Sequence, residues 1–515
     1  MKTSKKIVAI IGAGPVGYVL SILLAKQGYT IHLYEKRANP LISEQISEGR
    51  STNFIFGLRA IEALKRAGVY EESLKYSVRL DKIKYIFDNG EFTVYFGGRT
   101  QEERSYSINR ASIQKILARK VHDYPRISVY YNSHVKNIDL EMGSFQVEDE
   151  KGITHSKSSY EQIFGADGTF SVIKNAFIQS PDFSYSIHYS GYGYCELQIP
   201  AANEKDCNQS LQGNPSRIQS KFRVDENSFL HWPRKGLDVH LQGMPNYQGD
   251  INIGLFLKLK GENSYEQFKN NYETFEQFMH KHYPDSQYLM PNMKEWHANW
   301  SFTRLINMKC WPWAKGRFLL IGDSTHTMNP FVGQGINGGL EECALIEDLI
   351  VQYEGNWEIV RDRFQNIRKD VADKMNDFAD AQFLWLKDKF FLPEVQVSFM
   401  ISDYLSRNYG DIYQSQIQLI RWTTLDYNKC LSRGAVQQAL IKDLRESIPD
   451  IMVLVKKNKK DQRVSAIVSK YTDVYDITEL QKQKLQDASH TIQQKHFENL
   501  YEKYMPTYEK LSPKL

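Results

Sequence analysis

IVAIIGAGPVGYVLSILLAKQGYTIHLYE, residues 7–35, decides how the chain is read. Ile7 to Ile11 is a short, β-branched and continuously apolar run, the pattern of a strand buried on both faces of a parallel sheet. It enters Gly12-Ala13-Gly14-Pro15-Val16-Gly17, a GxGxxG turn. Tyr18 to Gln27 then has amphipathic helical spacing, Gly28 stops it, and Thr30 to Tyr34 makes a second strand closed by Glu35. Gly12 permits the tight turn, Gly14 lets a pyrophosphate approach the backbone, and Gly17 lets helix and strand pack closely. The helix start supplies amides and a positive dipole end, and Glu35 can accept hydrogen bonds from ribose hydroxyls. This unit predicts dinucleotide binding and leaves open whether the ligand is FAD or a nicotinamide.

A second stretch bears on that choice. LLIGDSTHTMNPFVGQGINGGLEEC, residues 319–343, runs two aliphatics into Gly322-Asp323, turns through Asn329-Pro330, and opens a helix near Ile336 with a glycine-rich segment suited to an anion. Its GQGING at 333–338 repeats the GxGxxG spelling without a preceding buried strand or a following acidic strand end, which argues against a second dinucleotide fold. Between the two stretches, IFGADGTFS at 163–171 reads as a strand ending in Ala166-Asp167-Gly168, with Ser171 beyond. Residues 58–68 read as a helix, Lys82 to Phe87 and Glu91 to Phe96 as a hairpin around Asp88-Asn89-Gly90, and SINR at 107–110 as the start of another helix.

Composition bounds the class. A chain of 515 residues predicts two or three packed regions, and 41% hydrophobic with 13% aromatic residues excludes a disordered chain. A net charge of +4 implies no nucleic-acid partner. Cys195, Cys207, Cys310, Cys343 and Cys430 show no CxxC spacing, so neither a disulfide framework nor a metal site is expected, and a reducing compartment is. The apolar run at the N-terminus reaches glycine too soon for a signal peptide, and no apolar run is long enough for a membrane span. The expectation is a cytoplasmic protein.

GAGPVG, Glu35, GADG with Ser171, and IGDSTH followed by PFVGQGIN together resemble the single-component FAD-dependent aromatic hydroxylases. GRSTN at 49–53, SINR, YCELQIP at 194–200, LHWPR at 230–234, MPN at 244–246 and LFL at 255–257 are similar to the kynurenine 3-monooxygenase family within that group, with a divergent substrate; the likeness covers roughly residues 5–440. The resemblance implies one FAD extended across the sheet, with NADPH and O2 as cosubstrates and no dedicated nicotinamide domain. It implies hydroxylation of an electron-rich aromatic through a flavin C4a-hydroperoxide, with no catalytic side chain of the chain's own. It assigns to the cofactor Gly12, Gly14, Pro15, Val16, Gly17, Glu35, Lys36, Arg37, Arg50, Arg110, Val135, Asp167 and Gly168. It adds Asp323 on the ribityl chain and Gly333, Gln334, Gly335, Ile336 and Asn337 at the ring. A flavin-dependent halogenase or reductase, or a non-catalytic flavoprotein binding module, are the alternatives.

The same resemblance implies an α/β fold: a Rossmann-like FAD-binding domain of the glutathione-reductase type with an inserted β-sheet substrate domain and a C-terminal helical region. The expected boundaries are 1–180 and 301–385 for the FAD domain, 181–300 for the substrate sheet, and 386–515 for the helical region. Pocket positions fall on Phe229, His240, Met244, Phe256, Pro330, Phe331 and Val332. The family's arginine and tyrosine clamp for an amino-acid carboxylate falls on Lys82 and Phe96, and its later asparagine and tyrosine on Gln382 and Tyr409. Lysine offers a point charge without the arginine fork, and Phe96 has no hydroxyl. Residues 185–300 read as strand-like, and 455–515, rich in Lys, Gln and Glu, as solvated helix with a side that could face an unknown protein partner.

Overall fold

The computed structural model describes residues 6–42, 53–87, 90–95, 104–202, 223–410 and 413–471. Ile7–Ile11 is the inner strand of a six-stranded sheet ordered Ala314–Lys315, Phe318–Leu320, Gln162–Gly165, Ile7–Ile11, Thr30–Tyr34, Ile127–Tyr130. Every pairing is parallel except that of the short Ala314–Lys315 strand. Strands of this kind are covered on both sides, and Val8, Ile10, Phe164 and Leu319 are fully buried. Each such side chain contributes ~1.5–3 kcal/mol by leaving water. Three adjacent parallel strands therefore end, at their carboxyl ends, in Gly12, Ala166-Asp167 and Gly322-Asp323. That edge is where open α/β sheets bind ligands.

A seven-stranded sheet follows the order Thr303–Trp311, Ser184–Ile199, Ile251–Lys258, His240–Pro245, Ser228–Trp232, Lys82–Phe87, Gly90–Tyr95. It draws strands from 82–95 and 303–311 as well as from 181–300. Its one face carries Ile86, Leu197, Leu230, Trp232, Leu241, Leu255 and Leu257, which share a core with Phe268, Phe275, Phe278 and Met279. Those aromatics sit on helices Tyr265–Phe268 and Tyr272–His282, followed by Ser286–Leu289 and Met293–Ala298. The strand-like reading of 185–300 is thus corrected beyond residue 264. Phe275, Phe278 and Met279 have helical spacing, and Ser264 and Asn271 cap the two helices by accepting from Gln267 N and Thr274 N.

The described residues within 1–93 and 104–387 form one compact unit, and those within 94–103 and 388–515 a second. The second is helical: Pro393–Asn408, Gln416–Trp422, Tyr427–Ser447, Ile451–Lys457 and Gln462–Ser469. Ser415 and Gln418 make a capping box, and Asp426 and Asp461 cap the next helices. Val464, Ile467, Val468 and Tyr471 are buried with Ile401, Leu440 and Leu444, so the first part of the expected solvated tail is core. Residues 472–515 lie outside the described residues. No described helix is long and apolar enough to cross a membrane.

Candidate FAD and substrate site

The first cradle is set by backbone crowding. Gly12 has φ +101°, and a Cβ there would lie 2.5 Å from Ala166 O; a Cβ on Gly17 would lie 1.9 Å from Gly12 O. Gly14 is the opposite case, with open space where its Cβ would stand. It is the N-cap of helix Pro15–Lys26, and no side chain caps that end, so the first-turn amides are left for an anion. Glu35 is buried and braced: Ala13 N–H donates to Oε2 at 2.7 Å and Arg37 N–H to Oε1 at 2.9 Å. Lys36 and Arg37 are exposed beside it, and Arg50 lies outside the described residues. Val135 is buried in the small core around Tyr34 and Phe145. Arg110 opens helix Arg110–Lys120 with its guanidinium 5.5 Å from the Phe54 ring centroid.

At the next strand end, Asp167 Oδ2 accepts from Val172 N at 2.7 Å while Oδ1 is buried without a partner. Gly168 follows at φ +81° with open space around it. At the third, Asp323 is exposed within the turn Gly322–Ser324, and Ser324 Oγ ties that turn to the neighbouring strand by donating to Gly165 O at 2.6 Å. The loop then passes Pro330, Phe331 and Val332, turns at Gly333 with φ +70°, and enters helix Gly335–Gln352 behind Gln334. That helix start also lacks a side-chain cap. Asn337 locks the loop: its Oδ1 accepts from Gly57 N, and its Nδ2 donates to Ile55 O and Gly333 O. Ile336 is half-buried beside it.

Sequence reasoning missed a buried charge cluster behind this loop. Glu342 accepts from Gly322 N at 2.8 Å, pairs with His326 Nε2 at 2.6 Å and with Arg368 Nε at 3.4 Å. Glu341 pairs with Arg368 Nη1 at 2.8 Å and with Arg59. Burial alone would push Glu342 up, but His326, Arg368 and the Gly322 amide hold it down to about 2. Burial likewise opposes charge on His326, and the Glu342 carboxylate overrides it and raises the imidazole above its ordinary value.

The second face of the large sheet supplies the substrate side. Strand alternation puts Phe229, His231, His240, Gln242, Met244 and Phe256 together, with Tyr85 stacked on His231 at 5.3 Å. Phe331 of the loop lies 5.0 Å from Phe256 and stacks at 4.6 Å on Phe383 of helix Trp357–Leu384. Gln382 is half-buried one position before Phe383, and Val332 is fully buried behind the loop. Asn53 fixes sheet to cradle. Its Nδ2 donates to Ser107 Oγ at 2.7 Å and Asn246 Oδ1 at 2.8 Å, and its Oδ1 accepts from Asn252 at 2.8 Å. Three motifs singled out in the sequence, GRSTN, SINR and MPN, meet there.

One expected substrate position, Lys82, falls on the other face of the sheet. Lys82 pairs with Ser228 in register, so it shares the face of Leu230 and Trp232, opposite to Phe229 and His240, and it is salt-bridged to Asp225. Tyr409 belongs to the second unit, where its hydroxyl bonds Asp461 O at 3.1 Å and accepts from Asp461 N at 2.9 Å. Phe96 lies outside the described residues. Both Lys82 and Asp225 are about one-quarter exposed, so Lys82→Ala is expected to cost only ~0.2–1 kcal/mol of stability. It should leave KM for acidic and neutral aromatics equally unchanged. Urea midpoints and steady-state kinetics check this, and a selective rise in KM for acidic substrates would restore Lys82 as the anion anchor.

Three strand-end loops holding an open glycine cradle, a braced acid, an unpaired Asp167 oxygen and an exposed Asp323 fit an extended FAD, and they define a flavoprotein of the glutathione-reductase fold. The chain belongs to the FAD binding domain family, whose profile matches residues 5–191 and 262–379. It is 27% identical over 446 residues to kynurenine 3-monooxygenase of Myxococcus xanthus, covering 86% of this chain and 92% of that protein. It is 28% identical over 471 residues to the enzyme of the same name from Christiangramia forsetii, covering 90% and 99%. Among solved structures it is similar in fold to 2-methyl-3-hydroxypyridine-5-carboxylic acid oxygenase, with TM-score 0.60, 15% identity, and 77% and 96% of the two chains covered. It is also similar to Pseudomonas aeruginosa PqsL in complex with 2-aminobenzoylacetate, with TM-score 0.59, 13% identity, and 76% and 98% covered. The protein is an FAD-dependent monooxygenase of aromatic substrates.

Proposed function

We propose that this chain hydroxylates an electron-rich aromatic of biosynthetic origin, kynurenine-like or related in shape, using NADPH and O2 in the cytoplasm. The observation that carries the reading is the aromatic wall Phe256–Phe331–Phe383, in which the loop that follows the Gly322-Asp323 turn also lines the sheet face. Bound FAD supplies the redox chemistry and the activation of oxygen. The chain's own residues do the rest. Gly12, Gly14 and Gly17 with Glu35 would hold the adenosine end, and Asp323 would hold the ribityl side. The uncapped amides at Gly335 and Ile336 would stabilise negative charge on the flavin. Phe256, Phe331 and Phe383 exclude water and hold the ring of the substrate by stacking. The buried Cys195, Cys310 and Cys343 are compatible with a reducing compartment.

The test is NADPH oxidation by the purified yellow protein across L-kynurenine and a panel of hydroxy- and amino-arenes under 18O2. At least one aromatic is expected to accelerate NADPH consumption and to gain one labelled oxygen atom by mass spectrometry. A protein that consumes NADPH at the same rate with every aromatic, and labels none, overturns the reading.

A further inference from the structure

Helix Trp357–Leu384 meets the loop that carries Phe331 along a single face. Asn376, Asp380 and Phe383 are spaced i, i+4 and i+7, so their side chains stand in one row. Asn376 is fully buried, and its Nδ2 donates to Thr327 O and to Met308 O, both at 2.9 Å. Asp380 Oδ1 accepts from Asn329 Nδ2, and Phe383 stacks on Phe331 at 4.6 Å. Strand Thr303–Trp311 holds the same loop residues from the other side. Met308 N–H donates to Thr327 O at 2.8 Å, and Asn307 Oδ1 accepts from Asn329 N at 2.8 Å.

Asn329 is the joint of this arrangement. It is 2% exposed, with its backbone tied to the sheet and its side chain to the helix. Pro330 comes next; its ring fixes its own φ and keeps Asn329 extended, at φ −61° and ψ 145°. With Asn329 anchored twice and Pro330 rigid, little backbone freedom is left before Phe331, whose ring lies 5.0 Å from Phe256. Asp380 is the charged member of the row. Its side chain is 27% exposed, and its second oxygen lies 3.9 Å from Nδ1 of the exposed His188. A carboxylate acceptor makes the bond to Asn329 charge-assisted, and so stronger than the amide contacts around it.

We propose that Asp380 is a positioning residue for oxygen transfer: through Asn329 it fixes Phe331, and Phe331 fixes how the substrate ring lies in the pocket. The proposal rests on the monooxygenase reading above and adds to it a determinant of coupling. With the loop held, one atom of O2 goes to the aromatic ring and the other leaves as water. With the loop released, the ring stands out of reach and the two electrons of NADPH leave on oxygen. NADPH, O2 and a proton then give NADP+ and hydrogen peroxide. A displacement of about 1 Å is enough to slow the productive step on the order of a hundredfold.

Exchanging the two side chains tests it, with the aromatic that wild type oxygenates in the 18O2 panel held at saturation. Asn329→Asp sets two carboxylates face to face and should lower product per NADPH about tenfold or more, the balance appearing as hydrogen peroxide. Asp380→Asn keeps an acceptor for Asn329 and should stay within about threefold of wild type. The double variant, Asn329→Asp with Asp380→Asn, rebuilds the bond with its roles reversed and should recover coupling to within about threefold. Flavin content and melting temperature report folding; if Asn329→Asp does not fold, Asp380→Leu takes its place as the uncoupled variant. Deuterium exchange of the FAD-loaded proteins reads the loop without turnover. Peptides spanning residues 325–335 should exchange about tenfold faster in Asn329→Asp and return to the wild-type rate in the double variant. Unchanged coupling in Asn329→Asp or Asp380→Leu, or a double variant that remains uncoupled, overturns the proposal. If exchange follows this pattern while no aromatic is oxygenated, the hydroxylation reading falls and the anchoring of Phe331 by Asp380 stands.

Discussion

Gly17→Ala should yield a colourless protein. The added Cβ would stand 1.9 Å from Gly12 O and 3.1 Å from Gly12 C, both backbone atoms of a turn that is itself pressed against Ala166. Relief requires helix Pro15–Lys26 to withdraw from its strand by on the order of 1.5 Å, because carbon and oxygen cannot approach so closely. That costs ~3 kcal/mol of stability by overpacking. It also drags the first-turn amides away from the phosphates, and an expected loss of FAD affinity above about 100-fold follows from ~2.7 kcal/mol. Gly14→Ala separates the two effects. Its Cβ meets nothing within 4 Å and its φ of −73° suits any residue, so the apoprotein should stay within ~0.5 kcal/mol of wild type. The methyl group would still occupy the space through which the pyrophosphate approaches. Flavin absorbance after gel filtration and urea unfolding of the apoproteins check both. Stoichiometric FAD on Gly17→Ala, or equal destabilisation by the two substitutions, would remove the cradle from Gly12–Gly17.

What could be read from the sequence follows the range of the physics involved. The glycine turns are legible because the tight βα crossing leaves no room for a Cβ at Gly12 or Gly17, and the spacing Gly12, Gly14, Gly17 is local. So are the three strand ends, since short β-branched runs closing on Gly or Asp carry their own signature. The substrate face was less accessible, because it depends on register. One residue of slip inverts every side chain. Lys82 was expected beside the substrate and stands on the opposite face, while Tyr85, three positions on, stacks on His231. The His231–His240 bond joins residues nine apart through a diagonal contact across two strands, which no periodicity announces. Phe383 was missed by a single helical position next to Gln382. The buried cluster was invisible for another reason: Glu341-Glu342 reads as an ordinary acidic pair on a helix until Arg59, His326 and Arg368 arrive from three other elements.

That cluster carries the other large effect. Glu342→Gln should destabilise the folded protein by ~3–5 kcal/mol, since it leaves buried cations without their counter-ion. Glu341 still holds Arg368, which favours the lower end of that range. The sign of the pH dependence separates this account from simple loss of packing. In the wild type Glu342 is held at about 2 against an ordinary 4.5, so its contribution is present above pH 4.5 and is lost as pH falls toward 2. His326 is raised above its ordinary 6.5, so its contribution is fully present below pH 6.5 and is lost as pH rises through the raised value. Between pH 4.5 and 6.5 this pair therefore contributes a plateau. In Glu342→Gln the imidazole keeps its burial and loses its anion, so its folded value falls below 6.5 and protonation favours the unfolded chain. The variant should then lose stability steadily as pH drops from 6.5 to 4.5, where the wild type does not. Because Gly322 N–H also donates to Glu342, the turn bearing Asp323 should loosen, and flavin release should accelerate over the same interval. Urea unfolding and flavin fluorescence at half-unit pH steps measure both. Parallel stability curves for the two proteins across that interval would show that His326 is neutral and that Glu342 acts only as a hydrogen-bond acceptor.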